Sequence, residues 1–258
     1  MGLSCLRSSQ ERIFSDRLVI SGKGGNENHM PQHLQREIEK LKRKILALSA
    51  VVEESVQKAV KAVEQRNSKL AISVISNDIK IDHTEVDVEE ECLKVLALYQ
   101  PVAIDLRFIV AVLKINNDLE RIGDLAVNIA ERGAFLATQP KIDIPFDLAG
   151  MAEKAQTMLR RSLDALVNMD SHLAREVCAS DDEVDALNRD MYAQVKAGIG
   201  RHPDDVESLI HFLSISRHLE RIADHATNIA EDVIYMVDGE ISRHKTEDYK
   251  SQAVKPDP

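Results

Sequence analysis

Along the middle of the chain, apolar residues return every three or four positions, the period that covers one face of an α-helix. Leu41, Ile45, Leu48, Val52, Val56, Val60 and Val63 make the first such stripe. Asn67-Ser68 has the chemistry of a helix cap and predicts a short helix through Ser76, after which Asn77-Asp78 predicts the start of another, running to about Leu98. "YQPVAIDLR" then turns the chain at Pro101 into a third long helix ending near Leu136. The pattern repeats: Leu148 to Val167, a short piece to Ala179, Asp181 to about Gly198, a turn at "GIGRHP", and a last helix from Asp205 to Val237. The expected fold is all-α, two tandem three-helix bundles with six long helices in a pseudo-two-fold repeat.

The repetition extends to residue identity. Laying Leu113 to Glu131 on Leu213 to Glu231 gives 12 identities in 19 positions, and "NSKLAISVISNDIKID" (Asn67 to Asp82) falls on "DSHLAREVCASDDEVD" (Asp170 to Asp185) with a slightly larger offset. A duplicated unit therefore accounts for most of the chain. The expected organisation is a disordered leader over 1–30, one bundle over 31–139, a second over 146–238 and a disordered tail over 239–258. Pro140 and Pro145 mark the linker, and Met30 is a candidate translation start.

Composition supports helices, since only 3% of residues are aromatic and none is Trp. A net charge of −10 argues against nucleic acid and favours small cationic partners. Cys5, Cys92 and Cys178 are odd in number and widely spaced, giving neither a thiolate metal pattern nor a disulfide pattern; Cys92 and Cys178 read as small core residues. No stretch approaches the ~20 apolar residues of a membrane span.

The candidate chemistry lies on the third helix of each repeat. With 100° per residue, Ile115, Leu119, Ile122, Ala126 and Ile129 gather on one side and Glu120, Asp124, Asn128 and Glu131 on the other. A solvated face explains that much. Carboxylates four apart, however, repel by about 0.2–0.5 kcal/mol, yet Glu120/Asp124 recurs as Glu220/Asp224 and Asp78/Asp82 as Asp181/Asp185. Asp78/Asp82 precede the turn at Pro101 by as many residues as Glu120/Asp124 follow it, so antiparallel helices bring both pairs to one level, roughly 30 Å from the turn. Four level carboxylates, with Asn128 or Asn228 and Glu131 or Glu231 nearby, suit hard cations such as Mg²⁺, Mn²⁺, Ca²⁺ or iron. Asp78 and Asp181 also read as helix N-caps.

These motifs, "LERIGDLAVNIAE", "LERIADHATNIAE" and the hinge "QPVAIDLR", resemble the PhoU family of phosphate-transport regulators over about Pro31 to Val237. The resemblance implies multinuclear iron or zinc clusters, with Mg or Mn as further options. It assigns metal roles to Asp78, Asp82, Glu120, Asp124, Asn128 and Glu131, and to Asp181, Asp185, Glu220, Asp224, Asn228 and Glu231. It implies a cytoplasmic, non-enzymatic homodimer, held at the inner face of the membrane through two partners: the ATPase subunit of a phosphate ABC transporter and a phosphate-sensing histidine kinase. Its expected effect is negative regulation of phosphate uptake and starvation signalling.

Departures and alternatives accompany that reading. Asn188 stands where the first repeat has Glu85, and "GIGRHPDDVESL" replaces the "QPVAIDLR" turn, so the second site is expected to bind differently. Arg107, Arg121 and Arg221 read as surface ion-pair partners, with a phosphate or partner contact as the alternative, and His218 and His225 read as surface histidines. A carboxylate-bridged metalloprotein, an iron store or oxidase, is the competing class; such bundles use Glu-x-x-His pairs pointing into the core, and neither Glu120 nor Glu220 has His three residues on.

Overall fold

The computed structural model describes residues 32–142, 147–201 and 203–240. The expectations for the leader, Cys5, Met30, most of the tail and Pro145 fall outside these residues. Six long helices run in order: α1 (Gln32–Glu64), α2 (Ser68–Tyr99), α3 (Ala103–Thr138), α4 (Leu148–Asn168), α5 (Ser171–Arg201) and α6 (Val206–Asp238), with a 3₁₀ turn at Pro203–Asp205 before α6. Among the described residues there is no strand, and no helix is long and apolar enough to cross a membrane.

Local chemistry sets several of the helix ends. Asn67 caps α2 by accepting from the Leu70 N–H at 3.1 Å, Asp147 caps α4 through the Gly150 N–H at 2.8 Å, and Asp170 caps α5 through the His172 and Leu173 N–H groups, both at 3.0 Å. The helix starts expected at Asn77-Asp78 and Asp181 do not exist, because α2 and α5 run straight through them. Val74 and Ile81 are buried on either side of the first, Val177 and Val184 on either side of the second, so breaking the helix would expose core residues to gain one cap. Asn77 instead accepts from Lys80 Nζ on the surface. Likewise α5 continues through Gly198, which lies buried against Leu209, and the chain turns only at Pro203–Asp205.

Helices α1, α2 and α3 form one bundle and α4, α5 and α6 the other, and the two share a single hydrophobic core. They meet chiefly where α3 lies antiparallel on α6, with α1 touching α4 beside them. Polar pairs stud this seam. Lys114 Nζ meets Asp232 Oδ1 at 2.8 Å, Arg132 Nε donates to Ser214 Oγ at 3.3 Å, and Phe135 stacks on His211 with centroids 4.0 Å apart. Asp118 Oδ1 receives His225 Nδ1 at 2.8 Å and Asn228 Nδ2 at 3.3 Å. His218 and His225 are therefore not surface residues, because the other repeat covers the side of α6 that the helical wheel leaves open. His218 bonds Ser214 at 3.2 Å, and burial together with Arg132 pushes its pKa down to about 4.

One close approach within a bundle matters for the site. A Cβ on Gly123 would stand 3.1 Å from Ile81 Cδ1, so glycine lets α3 and α2 pack tightly at the level of Asp78. The second repeat solves the same contact with Ala223 against Val184, moving one carbon from one helix to the other. A double-mutant cycle checks this compensation by denaturant unfolding. Gly123→Ala should gain about 1 kcal/mol of helix propensity in the Ile81→Val background and lose that gain in the wild type, a coupling of about 1 kcal/mol.

Candidate metal centre

Two grooves, α2/α3 and α5/α6, carry the predicted carboxylates. In the first, Asp78 and Asp82 from α2 face Glu120 and Asp124 from α3, as the height argument requires. Each pair feels the other: the pKa of Asp78 is raised first by burial and then by Asp82 and Asp124, and that of Asp124 by burial and then by Asp82. Glu120 is raised by burial, then by Asp124, Glu85 and Asp82. Burial leads in each of these shifts, and the acid face is a groove in which Asp78 and Glu120 are half-buried while Asp82 and Asp124 stay exposed.

Glu85 completes the first groove. Its pKa is raised by burial and by Glu89 and Asp82, and its Oε1 accepts from Asn116 Nδ2 at 3.0 Å. In the sequence, Glu85 appears only as the counterpart of Asn188. The signal that identifies it is correlated: Glu85/Asn116 in one repeat becomes Asn188/Ser216 in the other, where the Ser216 hydroxyl donates to Asn188.

The second groove joins Asp181 and Asp185 from α5 to Glu220 and Asp224 from α6. Burial, then Asp224 and Asp185, push Asp181 up to about 6. Glu220 is raised by burial and Asp185, and Asp224 by burial, Glu220 and Asp185. Thr227 donates to Asp181 Oδ1 at 3.4 Å, whereas Val127 takes its place in the first repeat. Asp78 Oδ1 is accordingly buried with no hydrogen-bond donor. Such an orphaned carboxylate oxygen costs free energy unless something positive meets it.

The remaining predicted ligands are engaged elsewhere. Arg132 Nη1 donates to Asn128 Oδ1 at 3.2 Å and pairs with Glu131 at 2.9 Å. Asn228 turns its amide nitrogen to Asp118 across the seam, and Glu231 lies near enough to Cys178 to raise its thiol pKa, together with burial, to about 12. Cys92 is similarly buried and raised to about 12, and both thiols are packed in the hydrophobic core, as the sequence reading expects. Arg121 and Arg221 are exposed beside the acids and partly offset them.

Among the described residues, no three His, Cys, Asp or Glu side chains converge closely enough to close around one ion. The helices fix the level of the carboxylates and the groove they share. The donor set nevertheless fits a hard cation: all-oxygen, half-buried, mutually repelling, and containing one buried oxygen without a donor. Asp78, Asp82, Glu85, Glu120 and Asp124 would hold it in one groove and Asp181, Asp185, Glu220 and Asp224 in the other.

The comparisons with known proteins bear on this geometry. The family model for the PhoU domain matches residues 45–133 and again 148–233. A phosphate-specific transport system accessory protein PhoU homolog from Aquifex aeolicus is 39% identical over 212 residues, covering 82% of this chain and 96% of the relative. One from Clostridium acetobutylicum is 33% identical, covering 80% and 94%. The crystal structure of PhoU from Pseudomonas aeruginosa superposes with a TM-score of 0.77 at 34% identity, covering 80% of this chain and 99% of that one.

The raised carboxylate pKa values carry a stability prediction for chelator-treated protein. Asp181 binds its proton more tightly folded than unfolded, so its contribution is full below its ordinary value near pH 4 and is lost as pH rises through about 6. Asp181→Asn should therefore gain stability relative to the wild type between about pH 4 and pH 6 and hold that gain at pH 7, as read by thermal unfolding.

Proposed function

The chain belongs to the PhoU family, and from that premise we propose that it is an accessory protein of a phosphate-specific transport system. It acts as a regulator and not as an enzyme. It holds back phosphate uptake and starvation signalling as a metal-loaded helical adaptor, a homodimer in the cytoplasm linking the transporter's ATPase subunit to a sensor histidine kinase. The single observation that supports the metal-loaded form is the paired carboxylate groove, written once in each repeat and containing the buried, unpartnered Asp78 Oδ1.

When bound, iron, zinc, Mg or Mn would supply the positive charge that four or five crowded carboxylates lack. The chain's own residues do the rest. The tight Gly123–Ile81 contact holds α2 against α3 so that both acid pairs stay level, and the half-buried groove strengthens their attraction for a cation over that of a solvated surface. The two grooves differ, since Thr227 partly satisfies Asp181 while Asp78 has no such donor, and Glu85 adds a fifth acid only to the first. The first groove is the tighter of the two.

Metal analysis of the purified full chain tests the site. Glu120→Ala with Asp124→Ala should remove about half of the bound metal and leave the helical content intact, since this change relieves repulsion; unchanged stoichiometry would return these acids to a merely charged surface.

Regulation is tested separately in cells. A deletion strain should express phosphate-starvation genes in phosphate-rich medium, and normal repression in that strain would sink the regulatory reading.

A further inference from the structure

Helix α2 carries two aliphatic stripes, and the chain covers only one of them. Val74, Ile81, Val88 and Val95, each seven residues from the next, are buried in the first bundle. Ile72, Ile79, Val86 and Leu93, also seven apart, lie on the outer face and are 47% to 58% exposed, with Ile75 beside them. Exposed aliphatics scattered singly are ordinary on a folded protein. Four in one heptad register along a single helix are not scattered.

The second repeat supplies an internal control. Its equivalent helix, α5, buries Val177, Val184, Met191 and Gly198 where α2 buries its valines and Ile81. At the positions of the outer stripe, α5 has Arg175, Asp182, Arg189 and Lys196. A charged outer face therefore suffices for this helix to fold and pack, and the aliphatic stripe of α2 serves something the bundle does not need.

A heptad stripe is the complement of another helix's apolar stripe. Its border towards α3 specifies which kind, because the exposed acids Asp82 and Glu89 line that side and Glu90 stands beside Val86 and Leu93, whereas the far border mixes Lys80, His83, Asp87 and Lys94. We propose that the outer face of α2 is the docking site for an amphipathic helix of another protein, apolar at heptad spacing and bordered by lysine or arginine. A second copy of this chain fits less well. An isologous contact sets the acidic border of one copy against that of the other, with each copy carrying a net charge of −10. The proposed homodimer would use another face. Asp82 belongs both to this border and to the first groove, so the inference is drawn for the metal-free chain.

The test uses the full chain, chelator-treated, and a synthetic helix of four heptads with leucine at its core positions and lysine or arginine at its borders, against a twin with glutamate at those borders. The basic-bordered peptide should bind at least about tenfold more tightly than its twin. Giving α2 the α5 residues (Ile72→Arg, Ile79→Asp, Val86→Arg, Leu93→Lys) should weaken that binding by at least about tenfold, with helical content checked by circular dichroism. If that variant does not fold, Ile79→Ser with Val86→Ser carries the same test. Equal binding by the stripe variant overturns the proposal, as does equal binding of the two peptides. It is overturned in favour of self-association if the stripe variant turns a sedimenting dimer into a monomer. It is overturned in favour of a lipid surface if phosphatidylglycerol vesicles, and not the peptide, bind in a stripe-dependent way.

Discussion

The antiparallel docking of α3 on α6 is the constraint on which the rest of the molecule depends. Each of these helices must also bury residues against two helices of its own bundle, so that little more than one strip of its surface is left uncovered. In α3 that strip is occupied by Glu120 and Asp124, and in α6 by Glu220 and Asp224. The carboxylates are thereby held between helices, Glu120 and Glu220 half-buried and Asp124 and Asp224 exposed at the rim, and burial is the largest influence on their ionisation. A looser bundle would leave the same acids in water, where their mutual repulsion would be screened and their affinity for a cation weak.

Within the otherwise closely matching α3 and α6 segments, the two repeats differ where this docking breaks their symmetry. A duplicated helix packed against its own copy brings equivalent positions near each other, and like charges there would be buried together. Asp118 and His218 occupy equivalent positions, as do Leu125 and His225. The outcome is a buried Asp118–His225 pair on one side of the pseudo-axis and a half-buried His218, held neutral at physiological pH, on the other. Removing one partner of such a buried hydrogen-bonded pair typically costs about 1–3 kcal/mol, because it strands the other. Divergence at the seam is thus a physical requirement of fusing two copies into one core, and the Gly123/Ile81 to Ala223/Val184 exchange is its counterpart within each bundle.

Helix α2 shows how one element serves several ends. Its inner face fills the core, its α3 side presents Asp78, Asp82 and Glu85 to the metal groove, and its outer face carries the uncovered stripe. A helix of 32 residues holds these three functions on different sides, the core residues and the stripe each taking one position in seven and the acids two. Helix α5 has the first two roles and not the third. The first repeat is therefore the one specialised for contact, although both repeats share the acid arrangement.

Much of this could be read in the sequence. The duplicated "LER…D…NIAE" segment and the apolar period determine an all-α repeat, and counting residues on either side of the turn at Pro101 places the two acid pairs level, since helical rise is fixed per residue whatever surrounds it. The apolar core residues were legible as well, whereas the tertiary structure alone decided which polar residues were covered and paired. Asn77-Asp78 looks like a helix start by local chemistry, but the burial of Val74 and Ile81 outweighs one cap. His218 and His225 look like surface residues on an isolated helix, but the other repeat covers them. Asn128 and Glu131 share a face with Glu120 and Asp124, yet Arg132 engages both. Periodicity and rise are properties of one helix and are legible in one segment, whereas burial and pairing are set by whichever helices pack alongside, from segments about a hundred residues away in the chain.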